Sequence, residues 1–327
     1  MRTKDQTNKA ENPEKVLEQT EKAAKAARAK ARRRTLGKAI VRERMCYFMI
    51  APFMIAFFLF IVIPVVAAIV LSFTDFNMLQ TPNFVGLSNY MTMFLNDDVF
   101  LIAVRNTLLL AFICGPLSYI ACYVFAWFIN ELPGKLRAFM TLIFYAPSIS
   151  GGIYVIWKYI LSGDRYGLLN GILMKLGFLD SPILWLTDTD YMMGTVIVVQ
   201  LWLSLGTSFL SFMAGFKTVD PILYEAAAID GVHNRFQEVY YITLPQMKPQ
   251  LLFGAVMQIA SSFAIGAIPA ELNGFPSTEY ATHTIINHIT DFGNTRFELG
   301  YACAVSTVLL LIMLLVNKVI TKLLASD

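Results

Sequence analysis

The sequence is poor in charge. Of its 327 residues only 15% are Asp, Glu, Lys or Arg, against 56% that are hydrophobic. A soluble domain carries about 25% charged residues. The shortfall argues against an ordinary soluble globular domain and points to a chain that spans a membrane. Cysteine is scarce too. Cys46, Cys114, Cys122 and Cys303 share no paired spacing, and all but Cys46 fall in apolar runs. Neither a disulfide framework nor a zinc site is written there, and buried structural thiols are the simpler reading. The three histidines, His233, His283 and His288, are scattered. The last two lie five apart, and ordinary loop histidines explain them better than a metal pair. No G-x-x-x-x-G-K-[ST] phosphate loop occurs, since "LGKAIV" near Lys38 lacks the glycine spacing. No G-x-S-x-G elbow or Cys–His constellation appears either. The chain is expected to hold no catalytic residue, no metal and no cofactor.

Long apolar runs are what it has. About 20 apolar residues cross the hydrocarbon of a bilayer, and six runs qualify: roughly 47–73, 101–128, 139–160, 191–216, 251–268 and 299–324. "APSISGG" interrupts the third. The first and last have no polar face, which excludes a soluble helical core. Residues 1–46 form a separate zone, a basic tail that becomes a juxtamembrane helix near Lys38, with 47–327 as the six-span domain. Arg32, Arg33 and Arg34 suit anionic lipid headgroups, and with a span following directly no nucleic acid is expected. The first run is too long for a cleaved signal peptide, and no small-residue cleavage site follows it.

Lys and Arg set the orientation. With the N-terminus inside, the inner flanks hold 15 of them, including Lys135, Arg137, Lys217, Arg235, Lys248 and Lys318, against 5 on the outer side and in the spans: Arg105, Lys158, Arg165, Lys175 and Arg296. Both termini are expected in the cytoplasm. The three outer loops read as short interfacial helices and turns.

Polar residues inside spans usually face protein or water. Gln200, Ser204, Thr207, Ser208 and Ser211 recur at three or four residues, which places them on one face of span four. Gln258, Ser261, Ser262 and Gly266 do the same in span five. Tyr145, Ser148, Ser150 and Tyr154 in span three and Trp202 in span four add candidates for a passage. Neutral donors and acceptors with aromatic faces suit a sugar. Simple helix packing explains any single serine better. Gln200 and Gln258 weigh more, because an amide in lipid demands partners.

The loop at about 217–248 is punctuated like a soluble helix pair. Asp220 before Pro221 reads as an N-cap with proline at the first helical position. The helix is expected to reach Ile229, with Gly231 as the left-handed stop. Asn234 opens a second helix with Gln237 placed for a capping box, and Pro245 and Pro249 are expected to end it. Physics alone makes this an ordered surface element, with an amphipathic helix on the bilayer as the plain alternative.

"EAAAIDG" followed by "ITLP" resembles the EAA motif of permease subunits of binding-protein-dependent ABC importers. It comprises Glu225, Ala226, Ala227, Asp230, Gly231, Ile242, Leu244 and Pro245. "FVGLSNYMTMF" (84–94), "RNTLLL" from Arg105, "GLLNGIL" from Gly167 and "LGYACAVS" (299–306) are similar to the carbohydrate, maltose-type branch. The likeness covers about Met45 to Leu324. "ELNGFPSTEY" (271–280) departs from the Gly-Gly-Pro loop of many members. The resemblance implies an all-α membrane protein, the six-span permease of a type I importer, whose loop is a coupling helix. Glu225 would contact the ATPase, Ala226 and Ala227 would pack closely, Gly231 would turn the chain and Asp230 would brace the turn.

The implied partners are a second, related permease, an ATPase dimer using ATP and Mg2+, and an external solute-binding protein. The implied place is the bacterial inner membrane. The solute would be a sugar or oligosaccharide moved by alternating access. A glycerol phosphate, or an ion-coupled secondary carrier, are the alternatives. A carrier of that kind often places paired acids mid-membrane, and the spans contain none.

Overall fold

The computed structural model describes residues 44–325. The basic tail, with Arg32 to Arg34 and the expected juxtamembrane helix at Lys38, lies outside the described residues. The chain divides into two compact units, Met1–Val66 and Ala67–Asp327. Of the first, the described part is helical, Arg44–Phe57 followed by a π-helical turn at Phe58–Val62, and none of its residues is buried. Such an all-round apolar helix has no core-facing stripe to offer and is suited to lipid.

In the second unit the described secondary-structure elements are all helices, joined by turns and loops, with one isolated bridge between Thr74 and Phe84. All six expected runs form helices. Four are long and apolar enough to cross a membrane, Met45–Leu71, Asp98–Asn130, Thr189–Thr218 and Leu299–Leu323. The other two are bent pairs. Span three is Gly134–Ile149 plus Ile153–Ile160, turned by 89°, and span five is Lys248–Phe263 plus Ala267–Asn273, turned by 42°. Span four is also divided, since Thr189–Leu203 and Thr207–Thr218 meet at Ser204–Gly206. A hydropathy run records burial in lipid or protein, not continuity of the hydrogen-bond ladder, so a span can hold such breaks.

Span two, a 33-residue helix, is the axis of the unit. It packs against both halves of span four, the long half of span five and the helix Ile285–Thr290 between spans five and six. At one end, the near end, Phe209, Phe212, Phe216 and Met247 form a core with Cys122 and Ala126 of span two. In the middle, Leu110 and Cys114 meet Val196, Val199, Ile265 and Ile268. At the far end, Phe100 and Ala103 meet Ile285, Phe292, Tyr301 and Val305.

One carboxylate closes the far end. Asp97, at the N-cap of span two, accepts from Phe100 N at 2.9 Å, Tyr301 Oη at 2.6 Å and His288 Nε2 at 3.0 Å. Burial pushes Asp97 up, but the Tyr301 hydroxyl, the Phe100 amide and His288 outweigh it and hold the carboxyl below its usual range. Burial pushes His288 down against the pull of Asp97. His283, 3% exposed, is driven to about 4 by burial and by His288. Both imidazoles are therefore neutral near pH 7, and His288 Nε2 carries the proton that it donates to Asp97.

Candidate functional site

Two features stand out: a helix pair at the near end and a polar cavity at the three span breaks. The helix Pro221–Ile229 forms as its punctuation dictates. Asp220 Oδ1 accepts from Ile222 N at 3.0 Å and Pro221 fills the first turn. At the other end Val232 N donates to Ala227 O at 2.9 Å and Gly231 N to Ala228 O at 3.4 Å. Gly231 has φ +92°. Those two bonds and that backbone are a Schellman stop, which a β-carbon at Gly231 would strain.

The second helix starts at Arg235 with Asn234 Oδ1 accepting from Phe236 N at 3.0 Å. The expected capping box is not made, because Gln237 returns no bond to Asn234. The prolines act differently from expectation. The helix passes into a π turn, Val239–Thr243, and on through Pro245, while Pro249 sits in the first turn of span five. Pro249 occupies a first-turn position, where the missing N–H costs nothing. The break falls at Met247 between them.

The pair is anchored on one side only. The Tyr224 hydroxyl lies 2.9 Å from Thr243 Oγ1, which itself donates to Glu238 O at 3.3 Å. Tyr224, Ala227 and Ile242 pack on the near-end core. Phe236 meets Trp127 of span two edge to face at 5.5 Å. Arg235 pairs with Glu238 at 2.7 Å and with Glu131, just past span two, at 3.8 Å. The Glu238 hydrogen bond, then the Glu131 charge, hold the Arg235 guanidinium above its usual value. Such exposed pairs are worth less than about 1 kcal/mol each, so the aromatic and hydroxyl contacts do most of the anchoring.

The other side is bare. Glu225, Ala226 and Asp230 are exposed, as are Ile222 at 65% and Ile229 at 87%. The motif residues thus divide. Glu225 and Ala226 face outward with Pro245, Gly231 makes the turn, and Ala227 and Ile242 point inward with half-buried Leu244 beside them. Sequence reasoning missed Tyr224 and Thr243, whose 19-residue separation carries no local signal.

The cavity has a volume of 280 Å³ and is lined by Ser148, Ser150 and Tyr154 of span three, Gln200 of span four, and Ser261 with the Ala264–Ile268 backbone of span five. Irregular backbone at membrane depth persists only where protein or a water-filled cavity receives its polar groups. The breaks of spans three and five line this cavity, and Gly206 of the span-four break lies against Ser148. Gln200 is 7% exposed. The Ser148 hydroxyl donates back to Tyr145 O at 2.7 Å.

The remaining candidates lie elsewhere. Tyr145 packs into the near-end core. Trp202, 39% exposed, stacks edge to face on Trp157. The Ser204 hydroxyl donates to Leu201 O, and that of Ser208 to Gly254 O across spans four and five. Gln258 and Ser262 turn to a 240 Å³ apolar groove between spans two, five and six, where Ser262 donates to Gln258 O. On span four Gln200 lines the cavity, while Ser208, beyond the break at Ser204–Gly206, bonds to span five. On span five Ser261 faces the cavity while Gln258 and Ser262 face away from it.

No protein-family model matches the chain. It is 32% identical over 282 residues to the probable ABC transporter permease protein YesP of Bacillus subtilis (strain 168), covering 84% of this chain and 89% of that protein. It is 30% identical over 279 residues to the arabinooligosaccharides transport system permease protein AraP of the same organism, with 85% and 87% covered. Its fold matches a chain of a bacterial alginate ABC transporter, crystallised in complex with an alginate pentasaccharide-bound periplasmic protein. That match has a TM-score of 0.72 and 24% identity, and covers 87% of this chain and 95% of the other.

Proposed function

We propose a function from one premise: the chain belongs to the family of ABC transporter permeases. In our reading it is the membrane-spanning subunit of an ATP-driven importer that carries a sugar or oligosaccharide by alternating access. The observation that carries the solute class is the cavity at the three span breaks. Its polar lining is hydroxyls, one carboxamide and backbone, with no charged side chain. A neutral polyhydroxylated solute can exchange hydrogen bonds with such walls. A phosphate would call for a cation there, and an ion-coupled carrier for an acid; the lining offers neither. The relative AraP, a permease of an arabinooligosaccharide system, agrees with this class.

The near-end helix supplies the power stroke in this account. It is rigidly capped at both ends, anchored on its inner side and bare on its outer side. That is the form required of a knob in the cleft of an ATPase subunit. Glu225 and Ala226 would meet the ATPase, Gly231 and Asp230 would hold the turn, and Ala227, Ile242, Leu244 and Pro245 would seat the loop. ATP and Mg2+ would be used by that ATPase. The Lys and Arg bias puts the near end and both termini in the cytoplasm of a bacterial cell. A second permease would complete the passage that one six-span chain leaves half-walled. An external solute-binding protein would deliver the sugar to the far end.

The test is uptake by vesicles holding the chain with its companions. ATP should drive sugar uptake. Glu225→Arg and Gly231→Val should each abolish it while membrane insertion stays intact. Normal uptake in both variants, or uptake driven by an imposed proton gradient without ATP, would overturn the assignment.

A further inference from the structure

The wall of the polar cavity does not stand alone. Where span five breaks, the Gly266 carbonyl accepts a hydrogen bond of 3.1 Å from Asn287 Nδ2, on the far-end helix Ile285–Thr290. The same helix touches Gly266 directly. A β-carbon added there would lie 2.4 Å from Ile286 Cγ2 and 2.7 Å from Ile286 Cβ, closer than real atoms come. The break of span five is thus moulded on two consecutive side chains of an element outside the spans.

That element is itself immobilised. Asn287, 4% exposed, uses its amide oxygen to accept from Thr284 N and Thr284 Oγ1 in a capping box. Its amide nitrogen is then committed to Gly266. On one side of Asn287, Ile285 N donates to Thr107 Oγ1 of span two at 2.9 Å. On the other, His288 is tied to Asp97 at the start of the same span. The helix is therefore braced on span two and bears on span five. Its contact point, Gly266, lines the cavity along with Ile265 and Ala267.

We infer that Ile286 and Asn287 are positioning residues for the passage: braced on span two, they prop the break of span five and set the width of the cavity, and hence the size of solute admitted. The inference rests on the reading of that cavity as the sugar's path. Neither residue reaches the cavity lining, so each acts through Gly266.

The experiment uses the complete transporter in vesicles. It measures uptake of the radiolabelled mono-, di- and trisaccharide of a sugar that the unaltered complex imports, at equal amounts of assembled complex. Gly266→Ala should change the trisaccharide-to-monosaccharide uptake ratio about fivefold, a difference of about 1 kcal/mol between two barriers. Adding Ile286→Gly to Gly266→Ala removes both clashing atoms, Cβ and Cγ2, and should restore the ratio to within about twofold of the original. Asn287→Asp keeps the cap acceptor but turns an oxygen on the Gly266 carbonyl, and should shift the ratio as Gly266→Ala does. A merely structural role predicts equal losses for all three sugars and no rescue, and that result overturns the inference. Gln200→Leu serves as the second arm. If it alters uptake while Gly266→Ala leaves the ratio unchanged, this inference fails and the path stands. If neither variant affects any sugar, the path itself is wrong.

Discussion

The Tyr224 hydroxyl lies 2.9 Å from Thr243 Oγ1 and joins the exposed helix Pro221–Ile229 to the segment that returns toward span five. Thr243 already donates its proton to Glu238 O, so Tyr224 is the donor in the pair. In the proposed function a push on the outer helix would reach span five through this bond and through the packing of Tyr224 and Ala227. Tyr224→Phe keeps the ring and removes the bond, which is worth about 1 kcal/mol. Uptake per ATP hydrolysed should fall several-fold, while the amount of assembled complex stays the same. The ratio of solute uptake to phosphate release in vesicles measures it.

The far-end histidines predict a pH dependence of stability. His283 is held at about 4 and His288 is also lowered, each first by burial. Between their ordinary value near 6.5 and the folded one, the unfolded chain binds more protons than the folded chain. Stability should therefore be full above about pH 6.5 and decline as the pH falls, for His283 toward about 4 at up to about 1.4 kcal/mol per pH unit, with His288 adding in the same direction. Asp97, held low, adds its own loss only below the usual carboxylate range. Thermal unfolding of the purified chain in detergent should show the decline, and His283→Gln should make it shallower.

A single amide pins the loop after span five. Asn106 Nδ2 points at three carbonyl oxygens, Tyr280 at 3.2 Å, Ala281 at 3.1 Å and His283 at 3.0 Å. Tyr280 has a positive φ of 56°, so the loop holds a conformation that it would not choose unaided. Asn106→Leu keeps the bulk and strands those buried acceptors, at about 1–3 kcal/mol. The expected result is a lower melting temperature at pH 7, with sugar uptake lost at temperatures that the unaltered complex tolerates.

How much of this was legible follows from where each signal resides. Asp220, Pro221, Gly231 and Asn234 act on their own neighbours, so the near-end helices could be read with the right ends. The six runs were legible because lipid demands apolar length. The breaks in spans four and five were not, since Ser204–Gly206 and Ala264–Gly266 sit inside hydropathy that never falters. Their cause is tertiary: a cavity that receives the freed backbone, and Asn287 reaching back 21 residues to Gly266. For the same reason Gln200, Ser148 and Ser261 were found at the cavity, whereas Gln258 and Ser262, equally polar, turned to the opposite side. Gln258, Ser261 and Ser262 share one unbroken helix, Lys248–Phe263, and which of its faces meets the cavity is decided by the packing of neighbouring spans, which spacing along one helix cannot give.

The central claim, that the near-end helix is the contact with a nucleotide-hydrolysing partner, is tested most directly by cross-linking at Ala226. Its four native cysteines are replaced by alanine and Ala226→Cys is introduced. The purified complex is then treated with a short bifunctional maleimide and its subunits are separated. A product that joins this chain to the ATPase subunit is the result predicted. Position 226 reacting instead with a membrane-impermeant maleimide added outside intact cells, with no ATPase adduct, would contradict the account.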